Sequence, residues 1–134
     1  MIYSNIKTYN FNKRQLNKIA KLSMRFCMET FGVNNRKRND ISLKVVHDVS
    51  DGYWGMYYPT ENKIEIYPEE CNTIGRFTST IIHEYTHSMQ KQDTRLYSRL
   101  IKEHGYYNHP QEVEARAVEK KFNRALLRYL RENL

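Results

Sequence analysis

The segment from Thr73 to Gln90 constrains the fold most, because it combines a helical pattern with a cluster of ionisable side chains. Its apolar stripe recurs at helical spacing and consists of Ile74, Thr78, Ile81, Ile82, Tyr85 and Met89. At about 100° per residue, His83 and His87 lie on the opposite side of this helix, within about 40° of each other. Core histidines would share the apolar stripe, so this pair is predicted to face a polar site.

The five residues His83-Glu84-Tyr85-Thr86-His87 have the form His-Glu-x-x-His. One helical turn separates the two imidazoles, so both rings can bind the same zinc ion. Glu84 lies near the same edge, where a carboxylate can take a proton from a water molecule. The alternative is a pair of surface histidines, or of core histidines satisfied by hydrogen bonds. We predict a zinc site in which His83 and His87 are ligands and Glu84 is the catalytic base.

A third protein ligand is expected, because a catalytic zinc ion usually has three protein ligands and one open position. The candidates further along the chain are Glu103, His104, His109, Glu112, Glu114 and Glu119. On the last predicted helix, Glu114 flanks the apolar stripe one turn before Val118 and is expected to point inward. Glu112 is expected to face solvent near the helix start, where the helix macrodipole favours a carboxylate. Glu119 is expected to be partly turned away, so Glu114 is the predicted third ligand.

The remaining pattern predicts an α+β domain with the order helix, small antiparallel sheet, helix, helix. Helices are predicted over residues 11–31, 73–90, 94–102 and 110–131, and strands over residues 41–46, 53–58 and 63–67. Asn10 or Asn12 is expected to cap the first helix, Gly32 to end it, and Pro110 to begin the last helix. Turns are expected at residues 48–52 and 59–62. The last helix is expected to bury Ala115, Val118, Phe122, Ala125 and Tyr129.

Length and composition limit the other possibilities. The 134 residues fit one domain spanning 1–134. No apolar run approaches the ~18 residues that a membrane span needs, and the N-terminus has no signal-peptide pattern. We therefore expect no membrane contact and a cytoplasmic location. The two cysteines, Cys27 in a helical pattern and Cys71 in a loop, do not form a disulfide framework.

The chain is basic, with a formal net charge of +7, which raises its affinity for polyanions. Basic residues are spread along the last helix, at Arg116, Lys120, Lys121, Arg124, Arg128 and Arg131. A solvated helix face is the favoured interpretation of these charges, and a phosphate-binding surface is the alternative. Nucleic acid is therefore a possible partner, and its binding would survive Glu84→Gln and weaken with salt.

The motif at 83–87, followed 27 residues after His87 by Glu114-Ala115 on a helix, resembles the gluzincin metallopeptidases. The short layout is similar to ImmA/IrrE-type and SprT-like peptidase domains. It is also similar to small phage-type metallopeptidases in which a Tyr-rich segment precedes Pro-x-Glu-x-Glu-Ala, here residues 106–115. The resemblance covers roughly residues 40–130. It implies a minimal zincin-like fold with a Glu as third zinc ligand on a second helix.

Two departures from these families matter. Larger gluzincins have an Asp four residues after the Glu ligand, where this chain has Val118, so the residue that supports a zinc-binding histidine is not identified. SprT-like proteins use a third histidine, which keeps His104 and His109 as alternatives.

The predicted function is zinc-dependent hydrolysis of peptide bonds in a protein or peptide substrate. Tyr106, Tyr107 and His109 are candidate donors to the oxyanion, with plain packing as the alternative for each. The strand that carries Ile64 and Ile66 could pair with an extended substrate. The alternative function is a zinc-stabilised domain that binds nucleic acid or a protein partner with little or no catalysis.

Overall fold

The computed structural model describes residues 3–48 and 51–134. Within them the chain forms, in order, α1 (Lys13–Phe31), β1 (Ser42–Val45), β2 (Gly55–Tyr58), β3 (Lys63–Ile66), α2 (Ile74–Met89), α3 (Thr94–His104) and α4 (Pro110–Asn133). A short 3-10 helix, Thr8–Asn10, precedes α1. The α+β class is confirmed. No helix in the described ranges combines the length and the apolar character that crossing a bilayer requires.

Local signals explain where most elements begin and end. Asn12 caps α1 through a capping box with Gln15, and Gly32, at φ 78°, ends it. Pro110 is the first residue of α4, as predicted. The turn at 59–62 is also confirmed, since the Asn62 N–H donates to the Pro59 carbonyl at 3.3 Å. The predicted turn at 48–52 includes residues 49–50, which lie outside the described residues.

The sheet is mixed, so the prediction of an antiparallel sheet is wrong for one of its two pairings. The strand order is β1-β3-β2. β2 and β3 form the expected antiparallel hairpin, whereas β1 runs parallel to β3 with Leu43 opposite Ile64. Alternation of apolar residues predicts strands but does not say which strands become neighbours. Because β3 is central, Ile64 and Ile66 are fully buried.

Helix α2 lies at the centre of the domain and packs against α1, α4, β2 and β3. It is therefore buried on more sides than its predicted stripe implied. Phe77, which lies outside that stripe, is fully buried, while Met89 is 37% exposed. The core between the three long helices includes Ile19 and Cys27 of α1 and Leu126 of α4. This packing holds the first turns of α4 beside the second half of α2, where the histidines lie.

The buried face of α4 differs from the predicted stripe. Leu126, Leu127 and Leu130 are buried, whereas Ala125 is exposed. Among the predicted residues, Ala115 is fully buried and Val118, Phe122 and Tyr129 are partly buried against the core. The leucines determine the buried face, because they offer more apolar area than an alanine. The face of α4 that meets α2 is thereby rotated relative to the prediction.

Candidate metal centre

The two histidines and the glutamate of the motif project from the second half of α2. The ring centroids of His83 and His87 are 4.9 Å apart, and their planes are nearly perpendicular, at 81°. His83, Glu84 and His87 bring their donor atoms close enough to form a group that could hold a metal ion. The histidine side chains are only 16% and 14% exposed. The motif therefore forms a half-buried polar cluster.

Glu112 completes this cluster from the first turn of α4. Its Oε2 lies 2.9 Å from Nε2 of His83, and its Oε1 lies 3.0 Å from Nε2 of His87. The Glu112 residue is 3% exposed, so its carboxylate is directed into the protein. The same nitrogen of each ring thus faces one shared carboxylate, and two imidazoles and a carboxylate converge.

The structure does not bring Glu114, the predicted third ligand, to the histidine rings. Glu114 is exposed, and its Oε1 accepts a hydrogen bond from Nε2 of Gln90 at 2.9 Å. Glu114 follows Glu112 by two positions, which turns its side chain by about 200° around the helix. The prediction placed Glu114 beside the stripe that runs from Ala115 to Tyr129, one turn before Val118. Once the leucines fix the buried face, Glu112 points inward and Glu114 outward.

The other nitrogen of each ring, Nδ1, also faces a hydrogen-bond acceptor. His83 Nδ1 lies 3.3 Å from Oε1 of Glu119, and His87 Nδ1 lies 2.7 Å from Oε1 of Gln90. All four ring nitrogens therefore face an oxygen atom. The sequence did not identify these supporting residues. Glu119 could have been found by its spacing, since it follows Glu112 by seven residues and shares its helix face.

The electrostatics of the cluster favour positive charge between the oxygens. Burial lowers the pKa of His83, but hydrogen bonds to Glu112 and Glu119 outweigh it and raise this pKa to about 10. The pKa of His87 is also raised, since Glu112 and Glu84 outweigh burial. Burial raises the pKa of Glu112, yet both histidines hold it well below its usual range. The oxygens around the two rings thus favour a positive charge among them, which protons or a metal cation can supply.

Glu84 lies beneath the edge of the sheet. It is 9% exposed, and it accepts a hydrogen bond from the backbone N–H of Tyr57 in β2. Burial raises the pKa of Glu84, although His87 and His83 oppose this shift. A Cβ atom on Gly55 would come within 2.7 Å of Thr80 Cγ2 and 3.4 Å of Glu84 Cγ. Glycine at position 55 therefore lets β2 approach α2 closely enough to cover Glu84.

A cavity of about 610 Å³ opens over the cluster. Its lining includes Glu84, His87, Glu112, Tyr57, Tyr97 and Tyr106. Within the described residues, β2 pairs with a strand on one side only, and its other side borders this cavity. The predicted substrate-pairing strand, with Ile64 and Ile66, is instead the central strand β3, and both of its edges are occupied. Of the two edge strands in the described residues, β1 and β2, only β2 lines this cavity.

The predicted oxyanion donors lie in different places. Tyr106 lines the cavity and donates a hydrogen bond to Glu112. Tyr107 is 68% exposed and stacks with Arg116 at 3.7 Å. His109 is fully buried as the N-cap of α4, where its Nδ1 accepts from the Gln111 N–H. Tyr97, which lines the cavity, was missed because α3 carries no motif.

The remaining candidate ligands and the basic residues lie elsewhere. His104 is exposed, with its Nε2 3.8 Å from the Glu103 carboxylate. Three cations of α4 lie over aromatic rings of the same chain, in the pairs Arg116–Tyr107, Lys121–Phe122 and Arg131–Tyr3. Three of the six basic residues named for a phosphate-binding surface thus contact aromatic rings of this chain. Nucleic-acid binding stays a prediction.

No protein-family model, no curated protein and no solved structure matches this chain. The resemblance to gluzincins stays a prediction that depends on residues 83–87 and the acidic residues of α4. The function has to be inferred from the geometry of the cluster and its cavity.

Proposed function

We propose that this protein is a zinc-dependent peptidase in which His83, His87 and Glu112 bind the metal and Glu84 is the general base. One observation carries the proposal: Nε2 of both histidines lies within 3.0 Å of the Glu112 carboxylate, beside a cavity. Two imidazoles with one carboxylate are a donor set typical of catalytic zinc, which keeps a further position open. The proposal replaces the predicted ligand Glu114 with Glu112.

The surroundings of the rings fit a metal. Zinc binds neutral imidazole, and a hydrogen bond from Nδ1–H leaves the lone pair of Nε2 for the metal. Glu119 and Gln90 are the acceptors that hold Nδ1–H on His83 and His87. One zinc ion carries the same charge as the two protons that would convert both neutral rings to imidazolium, so zinc can replace those protons. A structural site would need a fourth ligand, often a thiolate, but Cys27 and Cys71 belong to the hydrophobic core.

Zinc, when bound, would polarise the peptide carbonyl and activate a water molecule for attack. Glu84 takes a proton from that water while the water oxygen bonds to the carbonyl carbon. Glu84 then returns the proton to the leaving nitrogen as the C–N bond breaks, which gives a carboxylate and an amine. The raised pKa of Glu84 brings its carboxyl group closer to the range where it can both accept and return a proton. The Tyr106 hydroxyl is the candidate donor to the oxyanion.

The substrate that this geometry suits is an extended peptide. The free edge of β2 borders the cavity and can pair with a substrate backbone by strand addition. Tyr57, Met56 and Tyr97 line the same cavity and offer a surface for a large apolar side chain. We propose that cleavage occurs beside such a side chain.

The test combines zinc content with cleavage of a peptide library. Wild type, Glu84→Gln, Glu112→Ala and the control Glu132→Ala are purified without added metal and analysed by mass spectrometry. We expect about one zinc ion per chain in all of them except Glu112→Ala. Glu84→Gln should keep zinc but lose about 10²- to 10⁴-fold in cleavage rate, because only the base is missing.

Three outcomes would contradict the proposal. A wild type that binds no zinc, even after zinc is added, rejects the metal site. Zinc retained by Glu112→Ala rejects the ligand set. Zinc without cleavage of any library peptide favours the alternative function, a zinc-stabilised domain that binds a partner or nucleic acid.

A further inference from the structure

Gln90 joins three parts of the candidate site although it lies just beyond the end of α2. Its Oε1 is 2.7 Å from Nδ1 of His87. Its Nε2 donates to the Gln111 carbonyl and to Oε1 of Glu114, at 2.9 Å each. Gln90 is 8% exposed, so its amide has few other partners. A side chain on the solvent side of α4 is thereby connected to a histidine on the cavity side.

The hydrogen bonds of Gln90 admit only one orientation of its amide. A carboxylate and a backbone carbonyl can only accept hydrogen bonds, so the NH₂ group must face Glu114 and Gln111. The amide oxygen must then face His87, where it accepts the hydrogen of Nδ1. If the amide were reversed, its oxygen would face the oxygens of Glu114 and Gln111. Its NH₂ group would then face Nδ1 of His87, and the proton of a neutral His87 ring would have to be on Nε2. Nε2 is the atom that faces Glu112.

The backbone around Gln90 is held in place by two further glutamines. Gln92 Nε2 donates to the His87 carbonyl at 2.7 Å, and Gln111 Nε2 donates to the Lys91 carbonyl at 2.9 Å. The first bond joins the segment after α2 to the last turn of α2, and the second joins it to the start of α4. The backbone on both sides of Gln90 is thus held in place, and Glu114 and the Gln111 carbonyl together determine how its amide is turned.

We propose that Glu114 is a positioning residue of the metal site, which acts through Gln90 to hold His87 in its zinc-binding tautomer. The inference rests on the proposed function, because it assigns a role to the zinc ligand His87. Glu114 does not touch the metal in this account. The two histidines are then supported in different ways: Glu119 contacts His83 directly, whereas Glu114 reaches His87 through one intervening amide.

The first experiment measures zinc affinity by competition with a chromophoric chelator. Gln90→Met should weaken binding about 10- to 100-fold, the range for residues that support a zinc-binding histidine. Glu114→Ala should weaken it less, about 3- to 30-fold, because the Gln111 carbonyl still holds the amide. Glu114→Gln keeps an acceptor oxygen and should stay within about 3-fold of wild type. Glu132→Ala, about 27 Å further along the same helix, is the matched control.

The second experiment observes the His87 ring by nuclear magnetic resonance in the zinc-loaded protein. The Nδ1–H proton should exchange slowly with water in wild type and Glu114→Gln, and at least about 10-fold faster in Glu114→Ala, because a loosened amide exposes it. A purely structural role of Glu114 would change the unfolding temperature without changing this exchange rate.

The outcomes separate this inference from the proposed function. Equal zinc affinity in wild type and Glu114→Ala overturns the positioning role alone. Equal losses in Glu114→Ala and Glu114→Gln also overturn it, because charge rather than hydrogen bonding would then be responsible. A wild type that binds no zinc overturns the proposed function and this inference with it.

Discussion

The two halves of α4 use one helical face for different purposes. Glu112 and Glu119 direct carboxylates from the first half onto the histidines of α2. Leu126 and Leu130 place fully buried side chains from the second half into the core. These four residues follow each other by seven, seven and four positions, so they lie within about 40° of one another. One orientation of α4 therefore serves both the site and the core.

The halves differ in what they contribute to stability. Burial of leucine side chains stabilises the fold, each by roughly 1.5–3 kcal/mol. Buried charged pairs contribute little net stability, because desolvation offsets their attraction. The carboxylates of the first half are thus held in position by packing that the leucines supply. The fold should therefore depend mainly on the leucine half, and the site should survive the loss of one leucine in the chains that still fold.

The largest effect is expected from Leu126→Ala in the leucine half. Removing this fully buried side chain leaves a cavity and should lower the free energy of unfolding by about 2–5 kcal/mol, as measured by urea denaturation. Arg128→Ala, at an exposed position of the same helix, is the control and should change it by less than about 0.5 kcal/mol. Folded Leu126→Ala should still bind one zinc ion. Loss of zinc from the folded variant would show that the carboxylate half cannot bind the metal without the complete packing of the leucine half.

A smaller effect is expected from Glu119→Ala in the carboxylate half. The change removes the acceptor of His83 Nδ1–H and should weaken zinc binding about 10- to 100-fold, or about 1.4–2.7 kcal/mol. Lys120→Ala changes the next, exposed residue and should leave the affinity unchanged. Chelator competition measures both. If Glu119→Ala binds zinc as tightly as wild type, the contact does not support the ligand.

The same comparison explains what could be predicted from the sequence. The helices, the hairpin and the cap at Asn12 follow from signals that are local in the chain, so their positions were predicted closely. The histidine pair could be placed on one helix face for the same reason. The carboxylates of α4 could not, because hydrophobicity marks only the leucine half of the face. The predicted stripe included Ala125 and omitted Leu126, Leu127 and Leu130, and Glu114 was preferred to Glu112 because it flanks that stripe one turn before Val118.

Two other features depend on contacts between distant segments. The parallel pairing of β1 with β3 leaves no trace in the alternation of either strand, so β2 could not be identified as the edge strand. Tyr97 lines the cavity because α3 brings it to the start of α4, where its ring centroid lies 4.3 Å from that of His109. Residues of this kind become visible only when the packing is known.

The last prediction concerns a thiol in the core that the leucine half covers, whose effect is seen only at high pH. Cys27 and Leu126 belong to one hydrophobic cluster, and burial raises the pKa of Cys27 from its ordinary 9.0 to about 12. Below pH 9 the thiol is protonated in the folded and unfolded chains alike, so its ionisation costs no stability. Between pH 9 and about 12 only the unfolded chain loses this proton, so stability falls as pH rises, by up to about 1.4 kcal/mol per pH unit.

Urea denaturation of zinc-free wild type and Cys27→Ala at pH 8, 9.5 and 10.5 would measure this slope. Other titrating groups, including Cys71 and the histidines, are present in both proteins, so their contributions cancel in the difference. We expect the stability of wild type to fall more steeply than that of Cys27→Ala above pH 9, and the two slopes to agree below it. Equal slopes throughout would mean that the thiol ionises in the folded protein. The core beneath the leucine half would then admit water, and the contrast between the two halves would be weaker than their packing indicates.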